Sequence, residues 1–271
     1  MIDAKTKLYC IIGNPVDHSL SPQMHNAAFR KLKLNNVFLA FKIESIRQAI
    51  AGLKDIGCRG IVVTVPFKEK VIEFLDDLDK AAEKIGAVNA VRCDNGKLTG
   101  TNTDWTGAIK CLEEKTDLKD KRVAVLGAGG ASRAVIYGLK QKGAKVVLLN
   151  RTVEKAEKLA AEFNLQDVYP LSDTSGLKDA DIIINTTSVG MHPDDNASPI
   201  PGHVIGNNQT VFDIVYTPHW TALLKSAADI NAQVVFGYKM VLYGGAEIFR
   251  FFTGVSPPFK VMENALKKHL L

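Results

Sequence analysis

Lys68 and Asp104 are the residues of this chain whose chemistry and position suit proton exchange. Lys68 lies just past Pro66, which stops the apolar run GIVVTV, so it falls near the carboxyl end of an expected strand, where α/β sheets usually bind ligands. Taken alone, a lysine there reads as a surface charge, and Asp104 alone reads as the N-cap of the helical pattern WTGAIKCL. Ser19 and Ser21, within GNPVDHSLSPQMHNAAF, fit either a helix cap ahead of Pro22 or a grip on an anionic or hydroxylated ligand, and locally the cap is the stronger reading. His18 and His25 in the same stretch read as surface or packing residues. Thr64 and Asn89 complete a set of polar side chains, each at a strand or loop terminus of one N-terminal region. A hydride transfer needs such groups to orient the substrate and exchange the proton, together with a positioned cofactor.

Signs of that cofactor lie downstream. VAVLGAGGASRA is a buried-strand pattern running directly into Gly127, Gly129 and Gly130 and then into a helical pattern, the context a dinucleotide-binding turn requires. Glycines there let the backbone approach a pyrophosphate, whose charge is met by free N–H groups and the positive end of the helix dipole. Ser132 occupies the usual third glycine place, with small Ala131 beside it. Asn150 and Arg151 follow the next strand, about twenty residues on, where NAD-binding chains place the carboxylate that holds the ribose 2′-hydroxyl. A guanidinium with Thr152 and Lys155 nearby suits a 2′-phosphate that a carboxylate would repel, which points to NADP; the competing reading makes Arg151 a surface ion-pair partner.

These residues must be held by α/β architecture. Short β-branched runs (LYCIIG, NVFLAFKI, GIVVTV, AVNAVR) alternate with helical patterns over 22–33, 45–55 and 68–78, implying βαβ units around a mostly parallel sheet. Asn95-Gly96 signals a hairpin that closes this part. After a helical pattern near 104–115, a second series begins: strand 121–126, helix 130–142, strand 145–150 and helix 153–163, then strands at DIIINTT, QTVFDIV and AQVVFG. Two domains are therefore expected, 1–104 and 105–241, with two tail helices over 242–271, split at Pro257-Pro258, returning to the first. At 271 residues, 46% hydrophobic and 23% charged, the composition is that of a folded, water-soluble protein. The net charge of +5 comes from scattered lysines without a basic block, which suits small anionic ligands and argues against nucleic acid. The apolar run near the N-terminus breaks at Gly13, so no signal peptide or spanning helix is expected and a cytoplasmic location follows. Cys10, Cys58, Cys93 and Cys111 lack C-x-x-C spacing and read as reduced, mostly buried thiols.

Taken in order, IGNPVDHSLSPQMHNAAF, GIVVTVPFKEKV, IGAVNAV, TNTDWTG, VLGAGGASRAV, NRTVEKA, NTTSVGMHP, FDIVYTPHWTALL and GGAEIFRFFTG resemble the shikimate dehydrogenase family along nearly the whole chain. The resemblance implies an N-terminal α/β substrate domain and a Rossmann domain for NADP, reversible reduction of 3-dehydroshikimate to shikimate, no metal, and a monomer or homodimer. It implies that Ser19, Ser21, Thr64, Asn89 and Asp104 bind shikimate, that Lys68 and Asp104 form the catalytic pair, and that Tyr216 lines the substrate side. It places Gly127, Ala128, Gly129, Gly130, Ala131, Asn150, Arg151, Thr152, Lys155, Thr187, Ile214, Gly237 and Met240 at cofactor positions. The chain also departs from the family pattern. Val62 and Ala90 stand where Asn and Thr are usual, Trp105 follows the aspartate in place of glycine, and Gly244 replaces a substrate-binding Gln. Those changes keep quinate or an amino analogue open as substrates. A catalytically silent nucleotide sensor is a further alternative; glutamyl-tRNA reductase shares the glycine turn and NRT, but its nucleophilic-cysteine motif is missing.

Overall fold

Two six-stranded sheets, each with helices drawn from the intervening sequence, carry the chain, and the structure, a computed structural model, describes residues 2–270. One unit comprises 2–103 with Val241–His269, and the other Asp104–Met240.

The first unit runs β1 (Lys7–Gly13), α1 (Ser21–Lys31), β2 (Asn36–Lys42), α2 (Ile46–Asp55), β3 (Gly60–Val63), β4 (Asp77–Leu78), α3 (Lys80–Ile85), β5 (Ala90–Asp94) and β6 (Lys97–Thr101). Its sheet is ordered β2-β1-β3-β5-β6-β4. Three pairings are parallel, whereas β5 runs antiparallel to both its neighbours, so the sheet is mixed. The hairpin signal is real: Asn95 and Gly96 take φ of 50° and 80° and join β5 to β6, the positive-φ pair that matches strand twist.

The helix expected over 68–78 does not form. The chain makes a 3₁₀ turn at Lys70–Phe74 and then the short strand β4. Asp76 takes the segment out of helical register: its N–H donates to the Leu98 carbonyl at 2.9 Å, and its carboxylate accepts the Leu98 N–H at 2.7 Å. The unanticipated α3 follows because Asp79 caps Ala82 N–H at 2.7 Å and Gly86, at φ 67°, ends the helix.

The second unit runs α4 (Asp104–Glu113), β7 (Arg122–Leu126), α5 (Gly130–Gln141), β8 (Lys145–Asn150), α6 (Val153–Phe163), β9 (Asp167–Pro170), β10 (Ile182–Asn185), β11 (Thr210–Asp213), α7 (Ala222–Asp229) and β12 (Gln233–Phe236). Every pairing is parallel and the order is β12-β11-β10-β7-β8-β9, that of a doubly wound dinucleotide-binding sheet. The strands VAVL, IIIN and TVFD are buried throughout, as expected where helices cover both faces. Sequence periodicity missed β9 and α7, each short.

Two tail helices follow, α8 (Gly237–Thr253) and α9 (Phe259–Leu270), with the prolines between them. Phe249 and Phe252 of α8 pack into the first unit, Phe249 5.5 Å from Phe29 and Phe252 stacked 5.6 Å from Tyr9 between ring centroids. Each such ring contributes about 1.5–3 kcal/mol on burial. All four cysteines are buried, with none in a disulfide, and the fold brings the sulfurs of Cys10 and Cys58 to 3.8 Å despite their separation in sequence. Among the described residues no helix is long and apolar enough to cross a membrane.

Candidate functional site

The polar set of the first unit gathers at one edge of its sheet. β1, β3 and β6 end there, and β5, being antiparallel to β3 and β6, begins there. Thr64 directly follows β3; its N–H donates to the Ile12 carbonyl at 3.0 Å, and a Cβ on Gly13 would collide with its methyl group. Lys68 is half-buried, and its carbonyl accepts Val88 N–H at 2.8 Å. Asn89 is buried: its side-chain amide donates to Thr103 Oγ1 at 3.1 Å and its oxygen accepts Thr103 N–H at 2.9 Å. Thr103, two residues past the end of β6, is thereby held in place, and Asp104 is the next residue.

The serines do not cap α1 as their local sequence suggests. The N-cap position belongs to Leu20 and has no side-chain capping bond; instead buried Ser19 accepts the Ser21 N–H through its hydroxyl at 3.3 Å. Asp104 is the first residue of α4 rather than the residue before it, and its carboxylate suits the positive end of that helix. Gly244 borders the same region, for a Cβ there would lie 3.5 Å from both the carbonyl and the hydroxyl oxygen of Thr103, in ordinary van der Waals contact. Val62 and Ala90 face each other across β3 and β5, both buried.

In the second unit the expected positions share the carboxyl edge of the parallel sheet. Gly127 to Ala131 follow β7, Asn150 ends β8 with Arg151 and Thr152 after it, Thr187 follows β10, Ile214 and Tyr216 follow β11, and Gly237 follows β12. Gly127 has φ 112°, and its added Cβ would lie 2.9 Å from both Thr186 Oγ1 and Thr187 Cγ2, so glycine is required twice over. Gly129 behaves differently. A Cβ there would meet nothing within 4 Å, which leaves open space at the N-terminus of α5 for a pyrophosphate to approach the backbone. Ser132 explains itself: fully buried, it accepts Gly129 N–H at 3.2 Å and shares a 2.7 Å hydrogen bond with Thr186, tying the turn to β10. Gly237 lies against the β11 terminus, where a Cβ would clash with the Ile214 carbonyl, and Met240 follows it in α8, buried.

Beside the turn, Asn150 folds back, its amide donating to the Thr152 carbonyl at 2.7 Å. Arg151, Thr152 and Lys155 are exposed at the start of α6, whose N-cap Thr152 makes no side-chain capping bond. Among the described residues Arg151 makes no ion pair. It lines a cavity of about 370 Å³ with Leu171, Ser172, Thr174, Pro199 and Pro201. An uncapped helix start, a guanidinium and an ammonium form a cationic cradle suited to a phosphate monoester, so the residues present fit NADP.

Sequence reasoning passed over Asn185, Asp213 and Thr221, which form a fully buried polar cluster bonded to Thr187 and to Val215 N–H. The available signal is that Asn185 and Asp213 each end an otherwise apolar strand. Burial pushes the Asp213 carboxyl up to about 6, against donors that favour its charged form. Among the described residues no cluster of three or more His, Cys, Asp or Glu could hold a metal ion.

Comparison with known proteins places this geometry. Residues 11–91 match the family model of the shikimate dehydrogenase substrate binding domain, and residues 110–193 match that of shikimate / quinate 5-dehydrogenase. The chain is 43% identical over 282 residues to shikimate dehydrogenase (NADP(+)) of Methanothermobacter thermautotrophicus, covering 100% of this chain and 99% of that one. A crystal structure of a shikimate dehydrogenase in complex with NADP+ matches with a TM-score of 0.94 at 40% identity, covering 100% and 98% of the two chains. The Thermus thermophilus shikimate 5-dehydrogenase, in complex with NADP(H) and shikimate, matches with a TM-score of 0.88 at 36% identity, covering 97% and 99%.

Proposed function

The chain belongs to the shikimate dehydrogenase family and has its NADP-dependent oxidoreductase activity, interconverting 3-dehydroshikimate and shikimate, and on that premise we propose which of its residues do the work. The first unit binds the substrate and the second binds the coenzyme. NADPH, when bound, supplies the hydride that reduces the ring carbon bearing the carbonyl. Lys68 gives a proton to the carbonyl oxygen as it becomes a hydroxyl and takes it back in the reverse direction. Asp104 is its acid-base partner, orienting the ammonium and the hydroxyl. Ser19 and Ser21 donate to the substrate carboxylate, while Thr64, Asn89 and Tyr216 complete the contacts to the ring. Gly127 to Ala131 receive the pyrophosphate; Asn150, Arg151, Thr152 and Lys155 receive the adenosine 2′-phosphate; Thr187, Ile214, Gly237 and Met240 face the rest of the coenzyme.

The observation that carries this reading is the convergence of Ser19, Thr64, Lys68 and Asn89, drawn from separate strands and loops, on one edge of the first sheet. The small molecules are the partners, the location is cytoplasmic, and the assembly is a monomer or homodimer. The missing side chain at Gly244, which borders Thr103, supports a second reading, in which quinate or an amino analogue of shikimate is also turned over. The test is Lys68→Ala, assayed for NADPH oxidation with 3-dehydroshikimate. Turnover should fall by about 10²-fold or more with NADPH affinity intact; an unchanged rate removes Lys68 from the mechanism.

A further inference from the structure

We propose that Asp213 is a positioning residue for the nicotinamide half of the coenzyme, holding the loops after β10 and β11 in one arrangement through a buried hydrogen-bond latch. The inference rests on the coenzyme reading above. Asp213 is the last residue of β11, directly opposite Asn185 at the end of β10, and both are completely buried. One carboxylate oxygen accepts from the Asn185 side-chain amide at 2.9 Å and from Val215 N–H at 3.0 Å; the other accepts from the Thr221 hydroxyl at 2.7 Å. Asn185 passes the constraint on. Its oxygen accepts Thr187 N–H at 3.0 Å and the Thr187 hydroxyl at 2.7 Å, and its amide also donates to the Val189 carbonyl at 3.2 Å. The Thr187 hydroxyl in turn accepts Val189 N–H at 3.1 Å. His192 N–H donates to the Thr217 carbonyl at 3.0 Å, joining the two loops directly.

Burying a carboxylate at a strand end is costly, and every partner here is a donor that fixes loop backbone. Sheet order decides which half of the coenzyme those loops meet. β8, followed by Arg151, lies on one side of β7; β10 and β11 lie on the other. With the pyrophosphate at the β7 turn, adenosine extends toward β8 and the nicotinamide end toward β10 and β11.

Asp213→Asn leaves one acceptor oxygen where two served, so at least one of the donors loses its partner. The experiment compares wild type, Asp213→Asn and Thr221→Val in the full chain for affinity to NADPH and to adenosine 2′,5′-bisphosphate, which lacks the nicotinamide half. Asp213→Asn should weaken NADPH about tenfold or more while the bisphosphate changes by less than about twofold, and Thr221→Val should show the same split at about threefold. Should Asp213→Asn fail to fold, Thr221→Val carries the test alone. Equal weakening of both ligands, or no change in NADPH, overturns the proposal. Failure of the wild-type protein to bind either ligand would instead overturn the coenzyme reading beneath it.

Discussion

Arg151 is the residue to which we assign the choice of coenzyme. A carboxylate at this place would repel the 2′-phosphate, whereas the exposed guanidinium at the start of α6, with Lys155 one turn on, offers paired donors to it. Arg151→Ala should therefore weaken NADP by about 10- to 100-fold in KM, a charged hydrogen bond being worth about 1.5–3 kcal/mol, and leave NAD nearly unchanged. Equal losses for the two coenzymes would show that the arginine does not read the phosphate. At Gly244 an added Cβ would make ordinary contact with Thr103 rather than clash, so Gly244→Gln should lower the KM for shikimate without lowering Tm; a raised KM or a lost fold would show that the position must stay without a side chain. Arg151 was legible in the sequence because the expected acid is missing at a fixed distance from a glycine turn. Asn185, Asp213 and Thr221 were not, because burial makes them important and no spacing rule marks a polar residue closing an apolar strand.

Among the elements, the turn between β7 and α5 separates folding from binding within three residues. Gly127 is needed for the backbone itself, so Gly127→Val should lower Tm sharply. A Cβ at Gly129 meets no protein atom within 4 Å, so Gly129→Val should keep Tm within a few degrees while weakening NADPH, because the added methyl groups occupy the space the pyrophosphate needs. A Tm loss as large as that of Gly127→Val, or undiminished NADPH affinity, would contradict this division. Helix α1 carries the clearest dependence on pH. His25 is stacked against Phe38 at 4.6 Å and lies 6.2 Å from Phe249, and both ring nitrogens are buried without partners. Burial lowers its pKa to about 3. The unfolded chain, with histidine near 6.5, binds this proton more readily, so the stability tied to neutral His25 is full above about pH 6.5 and is lost on acidification at about 1.4 kcal/mol per pH unit. Unfolding titrations of wild type and His25→Phe between pH 4 and 8 should diverge with that slope below pH 6.5; parallel curves would mean that His25 is protonated in the folded state. Element reading itself failed where acids intervened. The apolar spacing over 68–78 suggested a helix, yet Asp76 bonds to β6 and Asp79 starts a new helix, both tertiary or capping effects invisible to periodicity.

For the whole molecule, the second sheet was the more legible of the two. Its strands are continuous apolar runs, and its turn residues follow one after another along the carboxyl edge. The first sheet was legible in its strands but not in its pairing: β5 reverses direction, and that reversal is what brings Asn89 to the same edge as Thr64 and Lys68. The Asn95-Gly96 hairpin signal makes β5 and β6 antiparallel but does not say that β5 pairs with β3, so the set could be assembled as polar termini but not as one edge. The departures at Val62, Ala90 and Gly244 are spread over the first unit, Val62 and Ala90 buried opposite each other and Gly244 against Thr103. The most direct test of the account is a steady-state comparison of kcat/KM for shikimate and quinate, each with NADP and with NAD. Shikimate with NADP should be highest, exceeding shikimate with NAD by about tenfold or more; equal efficiency with NAD, or quinate preferred over shikimate, would contradict it.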